Sequence, residues 1–203
     1  MYAIVEDNNI TQYINFPKSV VIGDVRYPAK IFQLWSQAEL NAIGIYEVIT
    51  DSTNYKDPAY YNNTNEQYNF ADGQVTKSWG TATAKRLNDE NAVDEDGNNL
   101  LDDDGNQVIN YGLKTEKKRI VKQQASGLLA PTDWYVVKST EVADYDVPAN
   151  ILSFRADVRS KSNEMETQID ACTTVDELKA LYEYTRQEDG TQTRPLAEFP
   201  EEI

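Results

Sequence analysis

The apolar residues between Leu113 and Cys172 recur with a helical period on both sides of a short turn, and this pattern constrains the fold more than any other. In the first half they return at i, i+4 and i+8 and form one stripe, which predicts an amphipathic helix. Pro131 is expected to end this helix, followed by a turn at Thr132-Asp-Trp134 and a brief extended segment over 135–137. The stripe consists of Ile120, Val121, Gln124, Ala125, Leu128 and Leu129.

A second helix is predicted to open at Val147-Pro148, because a proline in the first helical turn removes no amide that the helix needs. Its apolar residues follow spacings of 3, 4, 7, 4 and 3, a heptad-like seam with the polar Ser162 at the skipped position. Such a seam either packs on the first helix as a hairpin within one chain or pairs with a copy of itself, and we favour the hairpin. The seam consists of Ile151, Phe154, Val158, Met165, Ile169 and Cys172.

The outer face of the first helix is basic, although the chain as a whole is acidic. Lys and Arg number 19 against 34 Asp and Glu, which gives a formal net charge of -15. This balance opposes binding to nucleic acid and to anionic membranes. We therefore expect the basic face to pair with the acidic segment just before it rather than with an external polyanion. It carries Lys114, Lys117, Lys118, Arg119 and Lys122.

The remainder of the C-terminal region is predicted to be one small helix and a tail. Thr174-Val-Asp-Glu177 is a capping box, in which the first side chain and the last bond each other's backbone amides. From Gln187 the chain is polar and contains two prolines, so we expect it to be irregular, with Leu196 and Phe199 docked on some other part of the chain.

The N-terminal 50 residues are predicted to form a small α+β unit. Short strands are expected at 2–5 and 11–14, and a second hairpin at 20–27 turns at Gly23. Ser36-Gln-Ala-Glu39 is a capping box that opens a short helix, which Gly44 closes before a strand at 45–49.

The segment 51–112 is predicted to contain β-hairpins and an acidic flap. Asp72-Gly73 is a strong hairpin signal between two strand-like runs. Two eight-residue copies then follow, 94–101 and 102–109, each reading Asp, acid, Asp, Gly, Asn, polar, apolar, apolar. A calcium loop is one interpretation, but the ligand spacing of an EF-hand does not fit, because Ala92 or Leu100 would take its first position. We favour a pair of Asp-Gly-Asn turns joining short strands. The fold class is thus α+β, divided into 1–50, 51–112 and 113–203.

Residue chemistry argues against most enzyme classes. The chain has no histidine, which removes the commonest general base and the commonest metal ligand. Its single cysteine, Cys172, lies on the apolar seam and is expected to be a core residue. No apolar run approaches the ~18 residues that span a bilayer, and the N-terminus lacks a signal sequence. We predict a soluble, non-enzymatic protein made in a cytoplasm, with no cofactor, metal, nucleic-acid or membrane partner.

Two stretches resemble a known family. The run 125–134, Ala-Ser-Gly-Leu-Leu-Ala-Pro-Thr-Asp-Trp, and the later run 154–159, Phe-Arg-Ala-Asp-Val-Arg, are similar to the C-terminal region of bacteriophage tail-fibre assembly proteins. The chain also resembles tail proteins of marine phages in its Ala-Ile-Val-Glu-Asp-Asn opening and in residues 34–48. The family match covers about 50 residues. The matching residues are Leu128, Leu129, Thr132, Asp133, Trp134, Arg155 and Arg159.

This sequence departs from the family pattern in three places. Phe154 replaces the usual tyrosine, Arg155 and Arg159 lie four apart instead of three, and the chain has Phe199-Pro200 where the family ends on Trp-Pro. The N-terminal half has no counterpart in that family.

The resemblance implies a role in phage tail-fibre assembly, or a minor structural place on the tail or fibre. The chain would act in the host cytoplasm during assembly or remain on the virion tail, and its partners would be fibre or other tail proteins, with self-association through 151–172 as a further option. Partner contacts are expected at Trp134, Asp133, Arg155 and Arg159, although Trp134 more often covers the core at such a turn. The alternative is a receptor- or carbohydrate-binding module, motivated by the aromatic residues of 55–80 and assigned to Trp79 and Tyr61.

Overall fold

A computed structural model describes residues 1–202, and the chain divides into two compact units, Met1–Thr83 and Ala84–Ile203. Strands dominate the first unit and helices dominate the second, which confirms the α+β class. The first unit contains β1 (Tyr2–Glu6), β2 (Asn9–Ile14), β3 (Val20–Ile22), β4 (Val25–Tyr27), α1 (Ile31–Leu34), α2 (Gln37–Ala42), β5 (Ile45–Thr50), β6 (Tyr61–Asn62), β7 (Gln67–Ala71), β8 (Gln74–Ser78) and, at its boundary, β9 (Thr83–Ala84).

Five strands of the first unit form one sheet in the order β2-β1-β5-β8-β7. All neighbours are antiparallel except β5 and β8, which run parallel. Successive side chains of a strand point to opposite faces, and each face has its own apolar cluster. Ile4, Ile14 and Ile45 belong to the cluster that also includes Leu40 of α2. Ala3, Val5 and Val75 form the core of the other cluster.

The helix cap and the turns predicted for this unit are confirmed. Ser36 and Glu39 form the reciprocal capping box at the start of α2. Gly44 follows with a φ of +83°, and a Cβ at this position would lie 2.7 Å from the carbonyl oxygen of Val5. The Asp72-Gly73 turn joins β7 and β8, with both residues at positive φ. The extra helix α1 was not predicted, because its four residues are too few to show a period.

The second unit contains β10 (Glu90–Asn91), β11 (Ile109–Asn110), α3 (Leu113–Leu129), α4 (Asp133–Glu141), α5 (Ala149–Ala171), α6 (Val175–Ala180), β12 (Thr185–Arg186) and β13 (Gln192–Thr193). A 3-10 turn, Ala130–Thr132, joins α3 to α4. No helix within residues 1–202 combines the length and the apolar character needed to cross a membrane.

The predicted helical hairpin is confirmed, since α3 packs on α5 of the same chain. Every residue of the predicted seam is buried, and so is Ser162. The stripe on α3 is narrower than predicted. Val121 and Ala125 are buried and Leu128 and Leu129 partly so, whereas Ile120 is 40% exposed and Gln124 is exposed too. A helix that packs on a single neighbour needs only such a narrow stripe.

The extended segment predicted at 135–137 is wrong, because these residues lie inside α4. Pro131 is at the start of the 3-10 turn, where its missing amide is not needed, and the residues around it keep helical backbone angles. The proline therefore joins two helices instead of ending one. The predicted turn at 132–134 becomes the last residue of the 3-10 turn and the first two residues of α4.

Three lysines of the basic face of α3 contact α5, and not the acidic flap as expected. The ammonium of Lys118 lies 2.8 Å from Asp170, and that of Lys122 lies 3.3 Å from Glu166. Lys114 donates to the carbonyl oxygen of Asp170 at 3.0 Å. The partners run backwards along α5 as the lysines advance along α3, which is the pattern of two antiparallel helices.

The two acidic copies fold into the same Asp-Gly-Asn turn, as the sequence predicted. In the first, Oδ1 of Asp94 accepts bonds from the amides of Asp96 and Asn98 at 3.0 and 2.8 Å. Asp102 does the same for Asp104 and Asn106 at the same two distances.

The residues between these turns form a closed ring. The amide of Leu100 donates to the carbonyl of Ala92, that of Val108 to Leu100, and that of Ala92 to Val108, at 2.8, 2.9 and 2.8 Å. Three equivalent pairings surround the ring, with Val93 opposite Asn99, Leu101 opposite Gln107, and Ile109 opposite Asn91. The segment 91–109 thus has an internal pseudo-threefold arrangement.

The C-terminal tail is docked, as expected, and the structure places it on α5. Leu196 is 2% exposed, and Phe199 packs against the cluster of Ala125, Phe154 and Val158. The side-chain amide of Gln168 donates to the carbonyl of Pro195 and accepts from the amide of Ala197. A hairpin of β12 and β13 precedes this docked part and was not predicted.

Candidate docking site at the end of the helical hairpin

Arg155 joins α5 to the junction between α3 and α4. Its side chain is 8% exposed, and its Nη2 lies 2.8 Å from Oδ1 of Asp133. Its Nη1 donates to Oγ1 of Thr132 at 2.6 Å and to the carbonyl oxygen of Leu129 at 3.0 Å. A buried guanidinium is tolerated only when its donors are matched in this way. The geometry fixes the first turn of α4 to this end of the hairpin.

Thr132 supplies the second half of this junction. Its hydroxyl donates to the carbonyl oxygen of Leu129 at 2.8 Å while accepting from Arg155. In an α-helix the amide of Asp133 would donate to the carbonyl of Leu129. Here it donates to the carbonyl of Ala130 instead. The threonine and the arginine together satisfy a carbonyl that the 3-10 turn leaves without its helical donor.

Trp134 does not cover the core, so the core interpretation is wrong. Its side chain is 51% exposed, and its ring centroid lies 3.7 Å from that of Tyr135. The core beneath this end of the hairpin is filled instead by Phe154 with Leu128 and Leu129. Trp134 stands beside the Arg155 junction as an exposed aromatic residue.

The other residues of α4 are also unburied. None of its nine residues is buried, and Val137 is 52% exposed. Ser139 and Thr140 turn their hydroxyls onto carbonyls of the preceding turn, at 2.7 Å in each case. The helix therefore lacks the apolar contact face that holds most short helices in place.

Arg159 follows Arg155 by one helical turn on α5. Its side chain is exposed, and its Nη1 donates to the carbonyl oxygen of Arg155 at 3.3 Å. Within residues 1–202 its guanidinium forms no ion pair, whereas that of Arg155 is paired with Asp133. Of the four predicted residues in this unit, Asp133 and Arg155 bond each other at the junction, and Trp134 follows Asp133 in the first turn of α4.

Tyr61 and Trp79 lie in the first unit. Tyr61 is 4% exposed, with the ammonium of Lys56 at 4.4 Å from its ring centroid. Trp79 is half-buried, and its ring contacts Tyr55 at 4.7 Å and the ammonium of Lys77 at 4.8 Å. Both rings are thus in contact with other side chains of the first unit.

Residues 1–202 contain no group of three or more acidic, His or Cys residues arranged to hold a metal ion. The carboxylates of Asp94 and Asp102 are taken up by backbone amides of their own turns. The amide of Asn98 holds the pKa of Asp94 below its ordinary value, and the amide of Asn106 does the same for Asp102. These acids act as turn caps.

Cys172 is 6% exposed, as the seam predicted, and its burial raises the pKa of the thiol. Such a thiol is a poor nucleophile near neutral pH.

Comparison of the chain with protein-family models, with curated proteins and with solved structures found no match.

Proposed function

We propose that this chain is a non-enzymatic bacteriophage tail protein that acts in tail-fibre assembly or is kept as a minor component of the tail or fibre. The observation that carries the proposal is that residues matching the tail-fibre assembly family lie together in the fold. Leu129, Thr132, Asp133 and Arg155 bond one another at a single junction, and Trp134 lies exposed beside it. A rigid base under an exposed aromatic residue suits protein recognition, because little side-chain freedom is lost on binding.

The partners would be fibre or other tail proteins. In this proposal the chain acts in the host cytoplasm during assembly and either leaves or remains on the virion tail. Self-association through 151–172 is the weaker option, since the seam of α5 is already buried within one chain.

Mass spectrometry of purified virions separates the two forms of the proposal. A stoichiometric amount of this chain in particles makes it a structural component, whereas its presence only in assembling cells makes it a released chaperone. Co-expression with a candidate fibre protein, followed by pull-down, tests the partner. We expect Trp134→Ala to reduce capture, whereas Val25→Ser, a change at an exposed apolar residue of the first unit, leaves it unchanged. Absence of the chain from both particles and fibre complexes would remove the proposal.

The receptor- or carbohydrate-binding alternative stays a prediction. The rings of Tyr61 and Trp79 are engaged by neighbours within their own unit, so no geometric observation favours it. A glycan array that responds to the wild-type chain but not to Trp79→Ala would support it.

A further inference from the structure

We propose that the exposed face of α4 binds an apolar, positively charged segment of a partner protein. The inference deepens the proposed function and rests on it, because it states the chemistry of the tail-protein segment that docks here.

The apolar part of the surface lies along one side of the helix. Val137 lies three positions after Trp134 and Glu141 four positions after Val137, which places all three on one face. Trp134 and Val137 are 51% and 52% exposed, and Val142 at the end of the helix is 46% exposed. Exposed apolar residues that adjoin one another, unlike scattered ones, indicate a contact surface.

The surface is fixed at one end and free along its length. The bond of Asp133 to the buried Arg155 anchors the first turn, so Trp134 is held in place before a partner arrives. A nine-residue helix is marginal in water without packing. A bound segment would supply the apolar contacts that α4 lacks.

The charge around the apolar face selects a basic partner. Residues 133–146 hold four acids and one lysine. Asp133 is neutralised by Arg155, and the Lys138 ammonium lies 4.2 Å from the ring centroid of Tyr145 and 5.9 Å from that of Trp134. The remaining acids, Glu141, Asp144 and Asp146, are exposed and form no ion pair within residues 1–202.

A second copy of the chain does not fit this face. The same acids would meet across a twofold contact, and like charges oppose association. One face of a nine-residue helix is about 14 Å long at ~1.5 Å per residue. It offers much less than the ~800 Å² per partner of a stable dimer. It can hold a short segment, and the uncompensated acids require that segment to carry lysine or arginine.

The test uses the full chain and two synthetic probes. Both are fluorescein-labelled amphipathic peptides with leucine on one face, and they carry either lysine or glutamate on the other. Fluorescence anisotropy should show the leucine–lysine peptide binding and the leucine–glutamate peptide binding at least tenfold more weakly. Added salt should weaken the former, because its attraction is partly electrostatic.

Three variants locate the binding. Trp134→Ala and Val137→Ser should each weaken the leucine–lysine peptide about tenfold, which corresponds to ~1.4 kcal/mol. Glu141→Lys should weaken the same peptide and strengthen the leucine–glutamate peptide. Val25→Ser is the matched exposed apolar control and should change neither. Helical circular dichroism checks that each variant is folded.

Equal binding of the leucine–lysine peptide by wild type, Trp134→Ala and Val137→Ser would overturn the inference, as would equal binding of the two peptides. Its failure differs from failure of the proposed function. Virion or fibre association that survives Trp134→Ala with Val137→Ser would overturn only the inference. Peptide binding at α4 by a chain that associates with neither virion nor fibre would overturn only the proposed function.

Discussion

Arg155 and Asp133 form an ion pair of 2.8 Å in which the two partners differ sharply in exposure, 8% for the arginine side chain and 56% for the aspartate. The exposed carboxylate can regain water when the pair is broken, but the buried guanidinium cannot. Loss of Arg155 should therefore lower the stability of the junction more than loss of Asp133 does. The other two bonds of Arg155 reach Thr132 and the carbonyl of Leu129.

Replacing Arg155 by methionine should lower the free energy of unfolding by about 2–4 kcal/mol, because Leu129 and Thr132 lose a charged donor. Asp133→Asn should cost less, about 1–2 kcal/mol, because the asparagine oxygen can keep the hydrogen bond although the buried guanidinium loses its ion-pair partner. Urea unfolding followed by helical circular dichroism measures both. Equal losses in the two variants would contradict the asymmetry of the pair.

Trp134→Ala should change the free energy of unfolding by no more than about 0.5 kcal/mol, because the ring is half exposed. Phe154→Ala should cost about 3–5 kcal/mol, because the ring is buried between α3 and α5. Thermal or urea melts of the two variants distinguish a surface aromatic residue from a core one. A large loss at Trp134 would show that this residue supports the fold.

Replacement by alanine should change the free energy of unfolding in opposite directions at two glycines. Gly127 lies inside α3 with open space around its Cβ position, so Gly127→Ala should stabilise the chain by about 0.5–1 kcal/mol. Gly97 has equally open space but a φ of +83°, and Gly97→Ala should cost about 1–2 kcal/mol. Denaturant midpoints report the sign of each change. The same sign in both would mean that the left-handed geometry at Gly97 is not required.

Acid should weaken the start of α6. The amide and hydroxyl of Thr173 hold the pKa of Glu177 below its ordinary value of 4.5. A lowered folded-state pKa gives stability that is present above the ordinary value and is lost as the pH falls through the folded-state value. Wild-type stability should therefore fall below about pH 4.5, and Glu177→Gln should reduce this pH dependence and lower stability at neutral pH. Urea midpoints between pH 3 and 7 measure it; identical profiles would refute the role of Glu177.

The features that were predicted correctly depend on neighbours in sequence. The capping boxes at Ser36 and Thr174 and the turns of the acidic copies are fixed by side chains that reach their own backbone within four residues. The seam of α5 was also predictable, because a helix of 23 residues shows its period clearly.

The features that were missed depend on tertiary contacts. Helix α4 was not predicted, because Pro131 is usually a helix terminator and only the 3-10 turn lets the chain continue. The burial of Arg155 was not predicted either, because it arises where α5 crosses the α3–α4 junction. Thr132 and Asp133 beside a proline are a recognisable sequence signal, but only the fold shows that both bond Arg155, more than twenty residues later.

The hydrogen-bonded ring formed by Ala92, Leu100 and Val108 limits the number of repeats in this segment. Each amide of the circuit donates to a carbonyl of the circuit, and the third bond returns to the first residue. A further eight-residue copy would have to break one of these bonds before it could enter, so duplication of this unit cannot lengthen the segment gradually. Closure of the ring therefore fixes the number of repeats that the segment can contain.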